Sequence, residues 1–179
     1  LTGLSGSGKS SLAQTLETDA LRCDTGIFVS GKFDQTTSDK PYSGVAMAFG
    51  RICERIGEMP EENVKKIENE LLKTFENEVE VLVDLIPELQ YIINDFPTSV
   101  FSDTDDHSVV NGLERLRFAF RGLMRAFSAV FSPLVLVLDD LQWADVSSLQ
   151  ILDYLITDTQ NGNPFMIIGC YRCDVVDEN

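Results

Sequence analysis

Basic residues are scarce in this chain. Its 179 residues include 14 Lys and Arg against 29 Asp and Glu, a formal net charge of −15 with the single histidine neutral. A field of that sign repels nucleic acid and anionic membrane surfaces, so direct binding to either is not expected, although a local pocket can still hold an anion. Long apolar runs are also missing, and none approaches the roughly 20 residues of a membrane span. Cysteine is sparse. Cys23, Cys53, Cys170 and Cys173 are too few and too scattered for a secreted disulfide framework, which points to a reducing, cytoplasmic setting. There is no initiator methionine and no signal-peptide pattern, and Leu1-Thr2-Gly3 already lies inside a motif. Residues 1–179 are therefore expected to be a single core cut at both ends. What is present is an average globular mix, 44% hydrophobic and 24% charged, which excludes wholesale disorder.

Hydrophobic spacing outlines the elements. Ser10 to about Leu21 reads as a helix with Leu12, Leu16 and Leu21 on one side. Ile27-Phe28-Val29, between Gly26 and Gly31, reads as a buried strand. Pro41 opens a helix carrying Val45, Phe49, Ile52 and Ile56. From Glu61 to Ile86 apolar residues recur in steps of three and four, predicting one long amphipathic helix or two stacked ones, ended by Pro87. This region is acidic, with 11 Asp/Glu against 4 Lys/Arg from Glu54 to Glu88. Pro97 to Val110 reads as a polar loop containing His107, expected in solvent. A helix follows from about Asn111 to Phe131, with Arg117, Arg121 and Arg125 along the edge of its apolar stripe. Leu134 to Leu138 reads as a strand covered on both faces and Phe165 to Ile168 as a second buried strand, separated by a helix that Asp145 caps. Strands alternating with helices predict an α/β fold with a parallel sheet, and residues 57–131 read as a mainly helical insertion.

Gly3-Leu4-Ser5-Gly6-Ser7-Gly8-Lys9-Ser10 meets every fixed position of G-x-x-x-x-G-K-[ST]. Glycines let the backbone wrap a phosphate and aim successive N–H groups at it. The helix that follows brings its partial positive charge to the same anion. Gly3, Ser5, Gly6, Ser7, Gly8, Lys9, Ser10 and Ser11 are the candidate nucleotide-binding residues. Lys9 supplies a cation for the β- and γ-phosphates, and Ser10 a hydroxyl for Mg²⁺.

A second acidic motif ends the strand at 134–138. In nucleotide-hydrolysing P-loop proteins such a strand ends at an Asp that holds Mg²⁺ through water. Asp139 fits that role, and Asp140 fits the orientation or deprotonation of an attacking water. With the strand at 27–29 falling between the two motifs, the pattern resembles the additional-strand class of three-layer P-loop ATPases. In that class the 165–168 strand lies between the motif strands and carries a polar sensor at its end, where Arg172 stands.

Taken together, Gly31-Lys32-Phe33-Asp34-Gln35, Pro41-Tyr42, Asp139-Asp140-Leu141-Gln142-Trp143-Ala144-Asp145 and Gly169-Cys170-Tyr171-Arg172 resemble one group. It is the AAA-type, origin-recognition-complex-like ATPase module of large signalling proteins, such as multidomain kinases and other STAND regulators. The resemblance covers nearly the whole chain. It implies an ATP- or ADP-binding, Mg²⁺-dependent switch within a longer polypeptide, with slow hydrolysis, contacts to other domains of that chain, and self-association among its possible partnerships. It assigns Lys9 and Ser10 to phosphate and Mg²⁺, Asp139 to the metal, Asp140 to hydrolysis and Arg172 to sensing. Two positions depart from the pattern. Asp140 stands where many relatives have the longer Glu, and Cys173-Asp174-Val175-Val176 replaces an expected Asn or Asp followed by Glu-Val. The resemblance also implies a helical lid that closes on adenine, expected to lie outside residues 1–179. An inactive nucleotide-holding scaffold is the alternative, and a small phosphotransferase a third reading.

Other features have simpler accounts. Cys170-x-x-Cys173 lacks the second Cys pair or nearby His of a zinc site. The arginine row is expected to pair with the acidic 54–88 region or to stay solvated, and Trp143 to pack near the site. A structural role for Lys32 and Asp34 weighs equally with a functional one.

Overall fold

The computed structural model describes residues 1–35, 41–75, 79–93 and 108–173. Five parallel strand segments carry the fold: β1 (Thr2–Gly3), β2 (Ile27–Lys32), β3 (Leu134–Asp139), β4 (Phe165–Gly169) and β5 (Tyr171–Arg172). One sheet runs in the order β2-β3-β4, and β1 pairs with β5. β4 and β5 are two parts of one stretch that changes partner at Cys170. Leu138 lies opposite Gly169, and Thr2 lies opposite Tyr171. The Cys170 N–H donates to the Leu138 carbonyl at 2.8 Å, and the Tyr171 N–H to the Leu1 carbonyl at 3.0 Å. Residues 165–172 therefore separate the strand before the glycine-rich loop from β3.

Helices lie on both faces. Val135 and Val137 point to one side, where Ala13 and Ala20 of α1 (Lys9–Ala20) meet them with Cys170. Leu134, Leu136 and Leu138 point to the other, into the main core. That alternation on a strand buried on both sides explains the uninterrupted apolar run. Between β2 and β3 the described residues form α2 (Ser43–Gly57), α3 (Glu61–Thr74), α4 (Val79–Leu85), a 3₁₀ turn at Pro87–Tyr91, and α5 (Ser108–Val130). The periodic 61–86 stretch thus contains two described helices. α5 starts at Ser108, three residues before the expected Asn111. His107 and most of the expected 97–110 loop lie outside the described residues.

The core positions the site through α2. Val45, Phe49, Ile52 and Ile56 are all buried, as their spacing predicts. Phe49 meets Phe120 edge to face at a centroid distance of 5.3 Å and Phe127 at 6.1 Å. Gly31 admits the close approach of α2 to β2, because a Cβ there would lie 2.4 Å from the Gly44 carbonyl oxygen. Asp145 caps α6 (Val146–Ile156) by accepting the Ser148 N–H at 2.9 Å. Its other oxygen accepts the Tyr42 N–H at 3.2 Å, tying the start of α6 to the start of α2.

Two packing expectations are corrected, and α1 adds a finding of its own: Leu12 is 57% and Leu16 38% exposed, while small Ala13 and Ala20 meet the sheet. Periodicity identifies a stripe but not which side of the helix meets the sheet. β4 is only partly buried, with Met166 51% exposed beside an apolar groove bordered by Leu16, Pro164 and Phe165. The arginine row does not pair with the acidic 54–88 region, because α5 presents it to α6 and the turn beyond. Arg117 contacts Glu114 and Gln150. Arg121 lies over the Phe118 and Tyr154 rings at 4.6 and 5.1 Å. Arg125 holds Asp158 through two bonds of 2.7 and 2.6 Å.

The Arg125 bond holds the Asp158 carboxyl below its ordinary range, against the opposing effect of burial. The Asp158 side chain is 6% exposed. Stability from a depressed carboxylate is present above the unfolded-state value and is lost as pH falls through the folded one. Asp158→Asn is therefore expected to cost about 2 kcal/mol at neutral pH, between an exposed and a fully buried pair. Urea titrations should show that deficit shrinking as pH falls below the ordinary carboxylate value of about 4, where the unfolded chain takes up a proton first and the folded Asp158 only at lower pH.

Candidate nucleotide site

The glycine-rich loop joins β1 to α1, and its conformation is local chemistry. Gly6 and Gly8 adopt φ of 73° and 84°, a region that other L residues avoid. Gly8 is also the residue before the first turn of α1, so the helix starts directly behind the loop. The first N–H groups of a helix have no intrahelical partner and point out of its end. Lys9 folds over the loop, its Nζ donating to the Gly3 and Leu4 carbonyls at 2.9 Å each.

The tip of β3 meets this loop. Ser10 Oγ donates to Asp139 Oδ2 at 2.7 Å, joining residues 129 apart in sequence. The Asp140 N–H donates to Asp139 Oδ1 at 3.0 Å, so both oxygens of that carboxylate are held. A hydroxyl and a carboxylate this close offer hard oxygen ligands suited to Mg²⁺, which keeps several waters and takes substrate phosphate oxygens as well. Among the described residues no group of three or more His, Cys, Asp or Glu is placed to hold a metal by itself.

Asp140 occupies a left-handed turn, φ 54°, immediately beyond the strand. Its Oδ1 accepts from Gln142 Nε2 at 2.9 Å, and its Oδ2 lies 3.4 Å from Lys32 Nζ. Arg172 arrives on β5, its backbone N–H donating to Gln142 Oε1 at 3.1 Å. Trp143 is half-buried against the main core.

A cavity of about 370 Å³ collects these groups, lined by Ser5 to Ser11, Lys32, Asp139, Asp140 and Arg172. Gly3 lies below the lining, where a Cβ would come within 2.8 Å of Ser7 Oγ. Three cations (Lys9, Lys32 and Arg172) face two carboxylates there, so the local balance is positive in a strongly acidic chain. Two residues here have no firm role from sequence: Lys32, which lines the cavity, and Gln142, which lies outside the lining and bonds Asp140 and the Arg172 backbone. The signal for Lys32 is strand register, since it lies directly opposite Asp139 across the β2–β3 pair.

Cys170 adds no activated thiolate to the site. Cys170 is buried in the smaller core cluster, and that burial, reinforced by the Asp139 charge, pushes its thiol upward. Asp34 and Gln35, at the end of the described 1–35 segment, are absent from the cavity lining. No helix among the described residues is long and apolar enough to cross a membrane.

Comparison with known proteins places this geometry. The chain is 29% identical over 157 residues to hybrid signal transduction histidine kinase G of Dictyostelium discoideum. The match covers 87% of this chain and 4% of that protein's length. No solved structure matches significantly. The family model for the AAA ATPase domain matches residues 1–168, from the glycine-rich loop through β4. That range takes in both the loop and the acidic strand end that meet at the cavity, and the chain belongs to the AAA ATPase domain family.

Proposed function

We propose that this segment is an Mg²⁺-dependent ATP-binding switch domain that hydrolyses ATP slowly within a larger signalling protein. The observation that carries the reading is the 2.7 Å bond from Ser10 to Asp139, which brings loop and acidic strand end to one point beside Lys9. The course of residues 165–172 between the two motif strands supports the additional-strand P-loop class. The signalling context rests on the histidine-kinase relative, of which this chain spans 4%.

In this reading the N–H groups of Ser5 to Ser11 surround the phosphates, and Lys9 leaves its carbonyl partners for the β- and γ-oxygens. Ser10 and Asp139 are the residues that would hold Mg²⁺, which would supply neutralisation of phosphate charge. Asp140 orients the attacking water and takes its proton, and Arg172 and Lys32 approach the γ-phosphate side. Other domains of the same chain are the partners that read the switch. An inactive scaffold is favoured by one feature: both Asp140 oxygens already have partners, and Asp is one methylene shorter than Glu.

Phosphate release from ATP, measured on the full protein with and without Mg²⁺, separates the two. Slow, metal-dependent release is the expected result. Tight nucleotide binding with no release supports the scaffold.

A further inference from the structure

Gln142 touches two parts of the site at once. It stands on the 3₁₀ turn 141–143, and its amide donates to Asp140 Oδ1 at 2.9 Å while accepting the Arg172 N–H at 3.1 Å. The partners set the orientation of the amide, since a carboxylate can only accept and a backbone N–H can only donate. The turn and the strand end are joined a second time, by the Leu141 N–H donating to the Cys170 carbonyl at 2.9 Å.

We propose that Gln142 is a positioning residue that holds the Asp140 carboxylate and the Arg172 backbone as one unit, so that hydrolysis depends on where the end of β5 lies. This rests on the ATP-hydrolysing reading above. Asp140 needs such a hold. It sits in a left-handed turn, and its other partner, Lys32, has a side chain 62% exposed and 3.4 Å away. Exposed ion pairs fix geometry weakly. A side-chain amide of this length is both donor and acceptor at neutral pH, which the two bonds require together. When the end of β5 shifts against a bound phosphate, the amide carries that shift to the carboxylate.

Two substitutions in the full protein separate the bonds. Gln142→Leu, one atom shorter and without polar atoms, loses both. Gln142→Glu keeps an acceptor for Arg172 and loses the donor to Asp140. Three quantities are read: exchange of the Arg172 amide hydrogen, binding of a fluorescent ATP analogue, and kcat for phosphate release. For Gln142→Leu, Arg172 exchange should rise about tenfold and kcat fall about tenfold or more, with analogue affinity within about twofold. For Gln142→Glu, Arg172 protection should persist while kcat falls to a similar degree. Unchanged Arg172 exchange in Gln142→Leu overturns the proposal. So does unchanged kcat in both variants, or a loss of analogue binding that parallels the loss of rate. If the wild type releases no phosphate, the hydrolytic reading falls, and Arg172 exchange still decides whether Gln142 joins the two elements.

Discussion

Replacing Lys9 with alanine is expected to weaken ATP binding by about 10²- to 10³-fold, roughly 3–4 kcal/mol. The side chain carries the loop's own cation, and charge-assisted bonds to phosphate oxygens are about twice as strong as neutral ones. The surrounding chain is strongly acidic, so little other positive charge compensates. Lys32 and Arg172 remain in the cavity lining but come from β2 and β5, not from the loop that wraps the phosphates. The fold should tolerate the change, because Lys9 donates only to the Gly3 and Leu4 carbonyls at the loop surface. Calorimetric titration of ATP into wild type and Lys9→Ala, with circular dichroism as a folding control, checks it. Equal affinity in the two proteins overturns the site assignment.

Asp140→Asn should leave ATP bound and stop its conversion, with kcat reduced about 10²- to 10⁴-fold. Asparagine is the informative replacement here. Asp140 has φ 54°, which Asn tolerates and alanine does not, so the turn survives while the proton acceptor is lost. The change also removes the ion pair with Lys32, which is exposed enough to matter little for stability. Rapid filtration with labelled ATP should find unhydrolysed nucleotide on the variant and ADP on the wild type. ADP on both, formed at equal rates, assigns the hydrolytic role to some residue other than Asp140.

These two variants divide the proposed mechanism. In that proposal Lys9 is assigned to binding and Asp140 to turnover, and the Ser10–Asp139 bond lies between them. The cavity's own charge pattern explains how an acidic protein takes an anion. The excess of carboxylates lies elsewhere in the chain.

What the sequence determined by itself is what short-range chemistry controls. Gly6 and Gly8 specify a backbone that few other residues adopt, so the loop was legible from its spacing. The run from Leu134 to Leu138 was legible as a doubly buried strand, and Asp145 as a cap, because each depends on a few neighbouring residues. The burial of Val45, Phe49, Ile52 and Ile56 followed from helical period alone.

Tertiary structure decided whatever depends on which elements become neighbours. Strand register put Lys32 opposite Asp139, and nothing local to residue 32 encodes that pairing. The packing of α5 on α6 sent Arg125 to Asp158 rather than to the acidic helices, since opposite charges pair where backbones bring them together, not where sequence concentrates them. α1 chose alanines over leucines for its contact with the sheet, because the start of that helix is fixed by the loop and its rotation follows from there. Gln142 became a bridge only once β5 lay beside the turn after β3.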